Sequence, residues 1–204
     1  MQQTELLNRE KSPDASGLPV NPDDNFAPLS TTPAEVFDIL SSLSCRKAPG
    51  NDGITNHLLR NCACGIACSL AVLFNRSFQD GVFPAEWKNA LVVPVYKRGD
   101  RTQLTNYRPI ALLSSVSKVC ERVVFSRLYH FLSPVLSDCQ SGFRKADSTS
   151  FQLVHLVQQG CEALDSSKYV AAVFFDLQKA FDRLWHKGLQ CKLEAAGVRG
   201  APLQ

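Results

Sequence analysis

Apolar residues recur at helical spacing from Val36 onward. Val36, Ile39, Leu40 and Leu43 stand at i, i+3, i+4 and i+7, the stripe of an amphipathic helix of about three turns. Its start is marked by Thr32 as N-cap, Pro33 at the first helical position and Glu35 two residues later, which together make a capping box. Pro49-Gly50 and Asn51-Asp52-Gly53 then require a structured turn. A helical region follows from about Thr55 to Gln79, with Gly65 as a point of interruption, and closes at Asp80-Gly81. Phe83, Pro84 and Trp87 are expected to pin the next segment to the core.

Two short β-type runs come next. Ala90 to Tyr96 predicts a strand, with Pro94 arguing for an edge position or a bulge. Tyr107 to Leu113 returns as its partner, so the pair predicts a hairpin with a basic tip at Lys97 and Arg98. Ser115 to Leu132 predicts a helix stopped by Pro134, and Gln140 to Lys145 a loop. A second long helix is expected from about Ser148 to Leu164. From Val170 to Phe175 both alternating faces are apolar, which predicts a strand covered on both sides. Trp185 to Ala196 reads as a last helix, with Gly197 in the C′ position. No internal repeat is present, and the order of elements is α+β rather than a regular doubly wound sheet.

Composition changes this picture little. The chain has 204 residues, 45% hydrophobic and 20% charged, with a net charge of +3, within the ordinary range for a globular protein. The charge distribution says more. Residues 1–31 carry a net −3, whereas residues 88–145 carry ten basic side chains against Asp100, Glu121 and Asp138. A basic middle segment suits a polyanionic partner, and a solvated surface is the alternative reading. Residues 1–31 are polar, contain proline and lack a period, as a flexible linker or tail does.

Eight cysteines raise the question of metal or disulfides. No secretory leader opens the chain and no apolar run approaches the length of a membrane span, so an intracellular protein without a membrane partner is expected. On that footing the Asn75-Arg76-Ser77 sequon is a chance match. Cys62, Cys64 and Cys68 cluster near His57 but lack zinc-knuckle spacing, and small cysteines buried in a helical core are the favoured reading.

Asp176 stands where the apolar run ends, a place where a carboxylate is held rigidly yet stays wet. It could equally cap the helix that follows. Its neighbours change the weighting. Lys47-Ala48-Pro49-Gly50-Asn51-Asp52-Gly53-Ile54, Asn106-Tyr107-Arg108-Pro109-Ile110, Gln140-Ser141-Gly142-Phe143-Arg144 and Phe175-Asp176-Leu177-Gln178-Lys179-Ala180-Phe181-Asp182 occur in this order. Together they resemble the reverse transcriptase of non-LTR (LINE-type) retrotransposons, from about Pro33 to the end.

The resemblance implies an α+β right-hand polymerase, with fingers over about 32–165 and the start of a palm over about 166–204, carrying an incomplete antiparallel sheet. It implies Asp176 as a catalytic ligand of Mg²⁺ or Mn²⁺, in an enzyme that uses two such ions. Lys97 and Arg108 would hold the triphosphate of a dNTP. Phe181 would lie against its sugar and favour deoxynucleotides. Gln140, Arg144 and Lys145 would touch template or nucleotide, and Lys47, Asn51 and Arg46 would lie along the template path. Asp182 reads as a local cap or a partner of Lys179 or Arg183.

RNA template and DNA primer are the implied partners, with an endonuclease region and the later polymerase regions in the parent protein. The family's aromatic-x-Asp-Asp motif has no match in the chain, whose Asp-Asp pair is Asp23-Asp24 in the polar segment. One carboxylate does not balance two divalent ions, so the 204 residues are expected not to polymerise alone. Two other readings remain: a non-catalytic nucleic-acid-binding module derived from the fingers, and an interaction protein with no surviving ligand.

Overall fold

The computed structural model describes residues 25–177 and 180–200; most of the expected N-terminal linker, together with Gln178 and Lys179, lies outside them. The described residues form two packing units, one of residues 25–132 with 193–200 and the other of residues 133–192.

In the first unit, α1 (Pro33–Ser41) starts as its sequence predicts. The Thr32 hydroxyl accepts the Glu35 N–H at 3.2 Å, and Val36 and Leu40 are fully buried. Helix α2 (Asn56–Asn61) is capped by Thr55, whose hydroxyl accepts the Leu58 N–H at 3.2 Å. Helix α3 (Ala63–Asp80) ends at Gly81, which takes a φ of 65° that a residue without a β-carbon adopts at least cost. The break in this helical region falls at Cys62 rather than at Gly65, because Cys62 is at once the C-cap of α2 and the residue preceding α3.

The cysteines correct a sequence expectation. Ala63, Ala67, Ala71 and Phe74 take the buried face of α3, so Cys64 and Cys68 fall one residue over and are exposed, as is Cys62. One residue along a helix is about 100° around it. The buried cysteine is Cys120 instead, and burial, aided by the Glu121 charge, pushes its thiol up to about 12.

Around Phe74 the core gathers Val36, Leu40, Leu59, Trp87, Val119 and Cys120. Trp87, on the 3-10 turn Ala85–Lys88, meets the rings of Phe74 and Phe83 edge to face at 5.8 and 5.4 Å. Residues 25–31, expected to belong to the flexible tail, are tied to this body. Phe26 packs on Phe131 and donates its N–H to the Gly197 carbonyl at 3.0 Å. Thr31 exchanges backbone hydrogen bonds with the Asn75 side chain, at 2.7 and 2.9 Å.

Strands β1 (Leu91–Tyr96) and β2 (Tyr107–Leu112) form the antiparallel hairpin expected, and their register sets Tyr96 opposite Tyr107 and Pro94 opposite Pro109. Neither proline has an N–H, so this pairing is one at which no inter-strand bond is due. The outer edges are where both prolines block addition of a further strand. Helix α4 (Ser115–Leu132) has the bounds its sequence predicts.

In the second unit, α5 (Thr149–Asp165) is capped by Ser148. It ends in a Schellman motif in which the Lys168 N–H reaches the Ala163 carbonyl and the Ser167 N–H that of Leu164. The strand expected over 170–175 is not formed, and Phe175 is 91% exposed. A strand exists through ladder bonds to a neighbour. Among the described residues the one ladder is β1 with β2, so the run has no partner to make it a strand. The described residues are therefore helix-rich with a single two-stranded sheet. The last helix, α6 (His186–Ala195), begins in this unit, while its end from Leu193 on counts with the first; it closes on Gly197 at φ 92°, with the Val198 N–H on the Leu193 carbonyl and the Gly197 N–H on that of Glu194.

Candidate nucleotide and nucleic-acid interface

The hairpin register decides where its cations lie. Val95 faces Arg108, and Lys97, two residues beyond Val95, extends the same face because side chains alternate along a strand. Lys97 and Arg108 are thus diagonal neighbours across one face of the ribbon, about 7–8 Å apart in such pairs. Neither has an acidic partner among the described residues. Tyr96 and Tyr107 pack edge to face at 5.6 Å on the opposite face.

The loop between them is held by its own bonds. The Lys97 N–H reaches the Asn106 carbonyl at 2.8 Å, and the Asn106 side-chain amide donates to the Asp100 carbonyl at 2.8 Å. The Asp100 carboxylate accepts the Thr102 N–H at 2.9 Å, and that bond above all holds its carboxyl below the usual range. Gly99, at φ 96°, lies so near the Asn106 side chain that a β-carbon there would meet it at 2.8 Å. Arg101 stacks on the Tyr96 ring at 5.1 Å. Asn106 and Asp100 thus hold the loop that carries Lys97. Reading the residues one by one missed them; the signal was the Asn directly before Tyr107-Arg108.

Lys47 and Asn51 lie on the turn built around Gly50. A β-carbon on Gly50 would come within 2.5–2.7 Å of the backbone of Leu113 and Ser114, so the turn touches the segment that leads from β2 into α4. Lys47 lines a cleft of about 690 Å³ whose other charged residues are Lys118, Arg122 and Glu121. Asn51 lines a separate, more apolar cleft of about 560 Å³ floored by Leu70, Leu73 and Trp87. Lys47, Arg46 and Asn51 are all exposed.

The loop expected over 140–145 is present in the second unit. The Gln140 side chain turns back on its own loop and donates to the Gly142 carbonyl at 3.0 Å. Gln152 on α5 donates to the Ser141 hydroxyl. Ser141 and then the Ser148 N–H hold the Asp147 carboxyl below its ordinary range, with the Arg144 charge adding a smaller share. Arg144 is half-buried, and its Nη1 is buried without a hydrogen-bond partner. Lys145 is exposed.

Asp176 and Asp182 are exposed, and Phe181 is 82% exposed. No ion pair joins Asp182 to Arg183, and Lys179 lies outside the described residues. Among the described residues no three His, Cys, Asp or Glu side chains converge as a metal site. Mg²⁺ takes six oxygens, of which one or two are carboxylate and the rest come from water and substrate phosphate, so Asp176 could supply one ligand but its described surroundings do not form a complete protein cage. Lys97 and Arg108 belong to one packing unit, and Asp176, Phe181 and Arg144 to the other.

Residues 95–202, more than half of the chain, match the family described as reverse transcriptase (RNA-dependent DNA polymerase). Among curated relatives, the chain is 34% identical over 196 residues to the "Probable RNA-directed DNA polymerase from transposon BS" of Drosophila melanogaster, covering 95% of this chain and 21% of the relative. It is 36% identical over 169 residues to the "RNA-directed DNA polymerase from mobile element jockey" of the same species, covering 81% and 18%. Similarity extends to the "Transposon TX1 uncharacterized 149 kDa protein" of Xenopus laevis, at 29% over 192 residues. The chain spans about a fifth of the length of the first two relatives. The match takes in the hairpin cations, the loop arginine and Asp176 alike, and the chain belongs to the reverse transcriptase (RNA-dependent DNA polymerase) family, of the non-LTR retrotransposon type.

Proposed function

We propose that the chain supplies the nucleotide- and template-holding part of an RNA-directed DNA polymerase of a non-LTR retrotransposon. The observation that carries this reading is the hairpin register, which sets Lys97 and Arg108 side by side on one face without acidic partners. A lysine is a compact point charge and an arginine a planar fork. Together they suit different oxygens of one triphosphate, through charge-assisted bonds stronger than neutral ones. The bonded loop behind Lys97 keeps its backbone in place before a nucleotide arrives.

Arg144, half-buried on the 140–145 loop, is assigned with Gln140 and Lys145 to contact with template or nucleotide. Lys47 and Asn51 are assigned to the template path. Phe181 presents an exposed apolar face suited to a deoxyribose, where a 2′-hydroxyl would find no hydrogen-bond partner. Asp176 is the family's metal-binding carboxylate for Mg²⁺ or Mn²⁺, with an RNA template, a DNA primer and dNTPs as the implied partners and substrates. Among the described residues Asp176 belongs to no group of three His, Cys, Asp or Glu side chains that could hold an ion, so further ligands would come from other parts of a polymerase. The 204 residues alone are expected to hold nucleic acid without extending it.

Labelled RNA template with a DNA primer tests this. A salt-sensitive mobility shift without primer extension supports the reading, and the absence of any shift at low salt contradicts it. Extension by the chain alone, lost in Asp176→Ala, would contradict the expectation of incompleteness. The second reading, a binding module that performs no catalysis in any context, is favoured by the same unpartnered cations. It is separated from the first by joining the chain to the remaining regions of a relative and assaying synthesis.

A further inference from the structure

The cleft of about 690 Å³ between the end of α1, the end of β2 and α4 combines free cations with an exposed ring. Lys47 has no acidic partner among the described residues. Arg122 has none either, spending one N–H on the Ser42 hydroxyl at 3.1 Å and keeping the rest of its fork. The single acid of the cleft, Glu121, is already engaged by Lys118 at 2.7 Å and by the Ser117 hydroxyl at 3.1 Å. Phe125, one turn along α4 from Arg122 on the same face, is 55% exposed and lines the same cleft. Its ring lies 5.4 Å from that of Tyr129, tilted by 34°.

The exposed Phe125 ring offers a flat apolar face in a cleft whose Lys47 and Arg122 charges are not neutralised. A positive groove with an aromatic platform is the arrangement by which single-stranded nucleic acid is held without sequence preference. We propose that this cleft seats an unpaired nucleotide of a single strand, with its phosphate between Lys47 and Arg122 and its base against Phe125. The proposal rests on the polymerase reading above and extends it by naming a base platform, with Lys118, Arg122 and Phe125 as a site on α4. An acidic, apolar peptide is the competing occupant. The exposed ring favours a base, since an acidic peptide needs the cations but no flat platform.

The test uses the full 204-residue chain and a 12-nucleotide single-stranded RNA labelled with fluorescein, carrying one 2-aminopurine. Anisotropy is followed over a range of salt, with melting of each variant as the control for folding. Wild type is expected to bind with quenching of the 2-aminopurine. Phe125→Leu is expected to remove the quenching and weaken binding about tenfold, while Phe125→Tyr retains both. Lys47→Gln and Arg122→Gln should each lower the slope of log affinity against log salt by about 0.7. If the RNA binds and these variants leave affinity, quenching and slope unchanged while Lys97→Ala and Arg108→Ala weaken it, the cleft proposal is overturned and the polymerase reading stands. If wild type binds no RNA at low salt, both fall. If a peptide rich in Glu and Leu binds the cleft and the RNA does not, the cleft is a protein-docking site and the proposal is overturned.

Discussion

The α-carbon of Gly50 lies against the backbone of Leu113, so that a β-carbon there would stand 2.5 Å from the Leu113 carbonyl carbon. Both residues flank functional ground: Gly50 sits between Lys47 and Asn51, and Leu113 joins the strand of Arg108 to α4. Close backbone approach, and not turn flexibility, explains this glycine. Because the obstruction is backbone on both sides, neither segment yields by rotating a side chain. Gly50→Ala should destabilise the chain by about 1–3 kcal/mol, read as a lower urea midpoint. Gly53→Ala should act instead through its φ of 67°, since no atom lies within 4 Å of its missing β-carbon.

Glu35 and Arg127 form a two-bond fork across 92 positions of sequence, at 2.6 and 2.7 Å. The Thr31 hydroxyl adds a bond to the same carboxylate at 2.6 Å. Arg127 is the chief cause that holds the Glu35 carboxyl below its ordinary value, and the Thr32 backbone N–H, the reciprocal half of the capping box, lowers it least. The folded chain therefore binds this proton less readily than the unfolded chain. The contribution is full above the ordinary value of 4.5 and is lost as pH falls through the lower folded value. Arg127→Gln should cost about 1 kcal/mol at neutral pH. Compared with wild type, its stability should fall less steeply below pH 4.5 in chemical denaturation.

Ser167 closes α5 at a φ of 55°, where glycine is the ordinary occupant. Ser167→Gly should raise stability by about 0.5–1 kcal/mol, the relief of left-handed strain less the added freedom of the unfolded chain. An unchanged or lowered melting temperature would count against this cap.

The exposed Cys64 and Cys68 should react with a thiol reagent in the native state, whereas Cys120 should react only on unfolding. Cys64→Ser should shift stability by no more than about 0.5 kcal/mol. Cys120→Ser should cost considerably more, because a hydroxyl would be left in an apolar core.

Much of this fold was legible in the chain because local signals agreed with packing. Thr32, Pro33 and Glu35 marked one helix start, Pro134 followed the end of another, and Gly197 took the cap position foreseen for it. The hairpin followed from its two apolar runs, and its prolines from the edges they protect. What was not legible depended on tertiary partners. The apolar run from Val170 to Phe175 has strand composition, yet a strand needs a neighbour to bond with, and composition does not say whether one is present. Cys64 and Cys68 were misplaced because alanines can hold the core face of a helix as well as cysteines can, so the small residues of α3 did not declare which side was inside. In the candidate site, Lys97 and Arg108 were named from motif likeness, but their sharing of a face depended on a register that only pairing supplies. Asn106 stood in the motif directly before Tyr107-Arg108, but its bonds to Lys97 and Asp100 did not show there, and Arg122, bonded to Ser42 across 80 positions, carried no signal.

Equilibrium dialysis of labelled dTTP against the full chain at low salt reads out whether Lys97 and Arg108 together grip a triphosphate. Lys97→Ala and Arg108→Ala should each weaken retention about tenfold, as the loss of one charge-assisted contact does, with unchanged melting because both side chains are exposed. Arg98→Ala, the neighbouring cation at the hairpin tip, should have little effect. Retention that survives both substitutions at wild-type strength, or that falls equally with Arg98→Ala, would contradict the account.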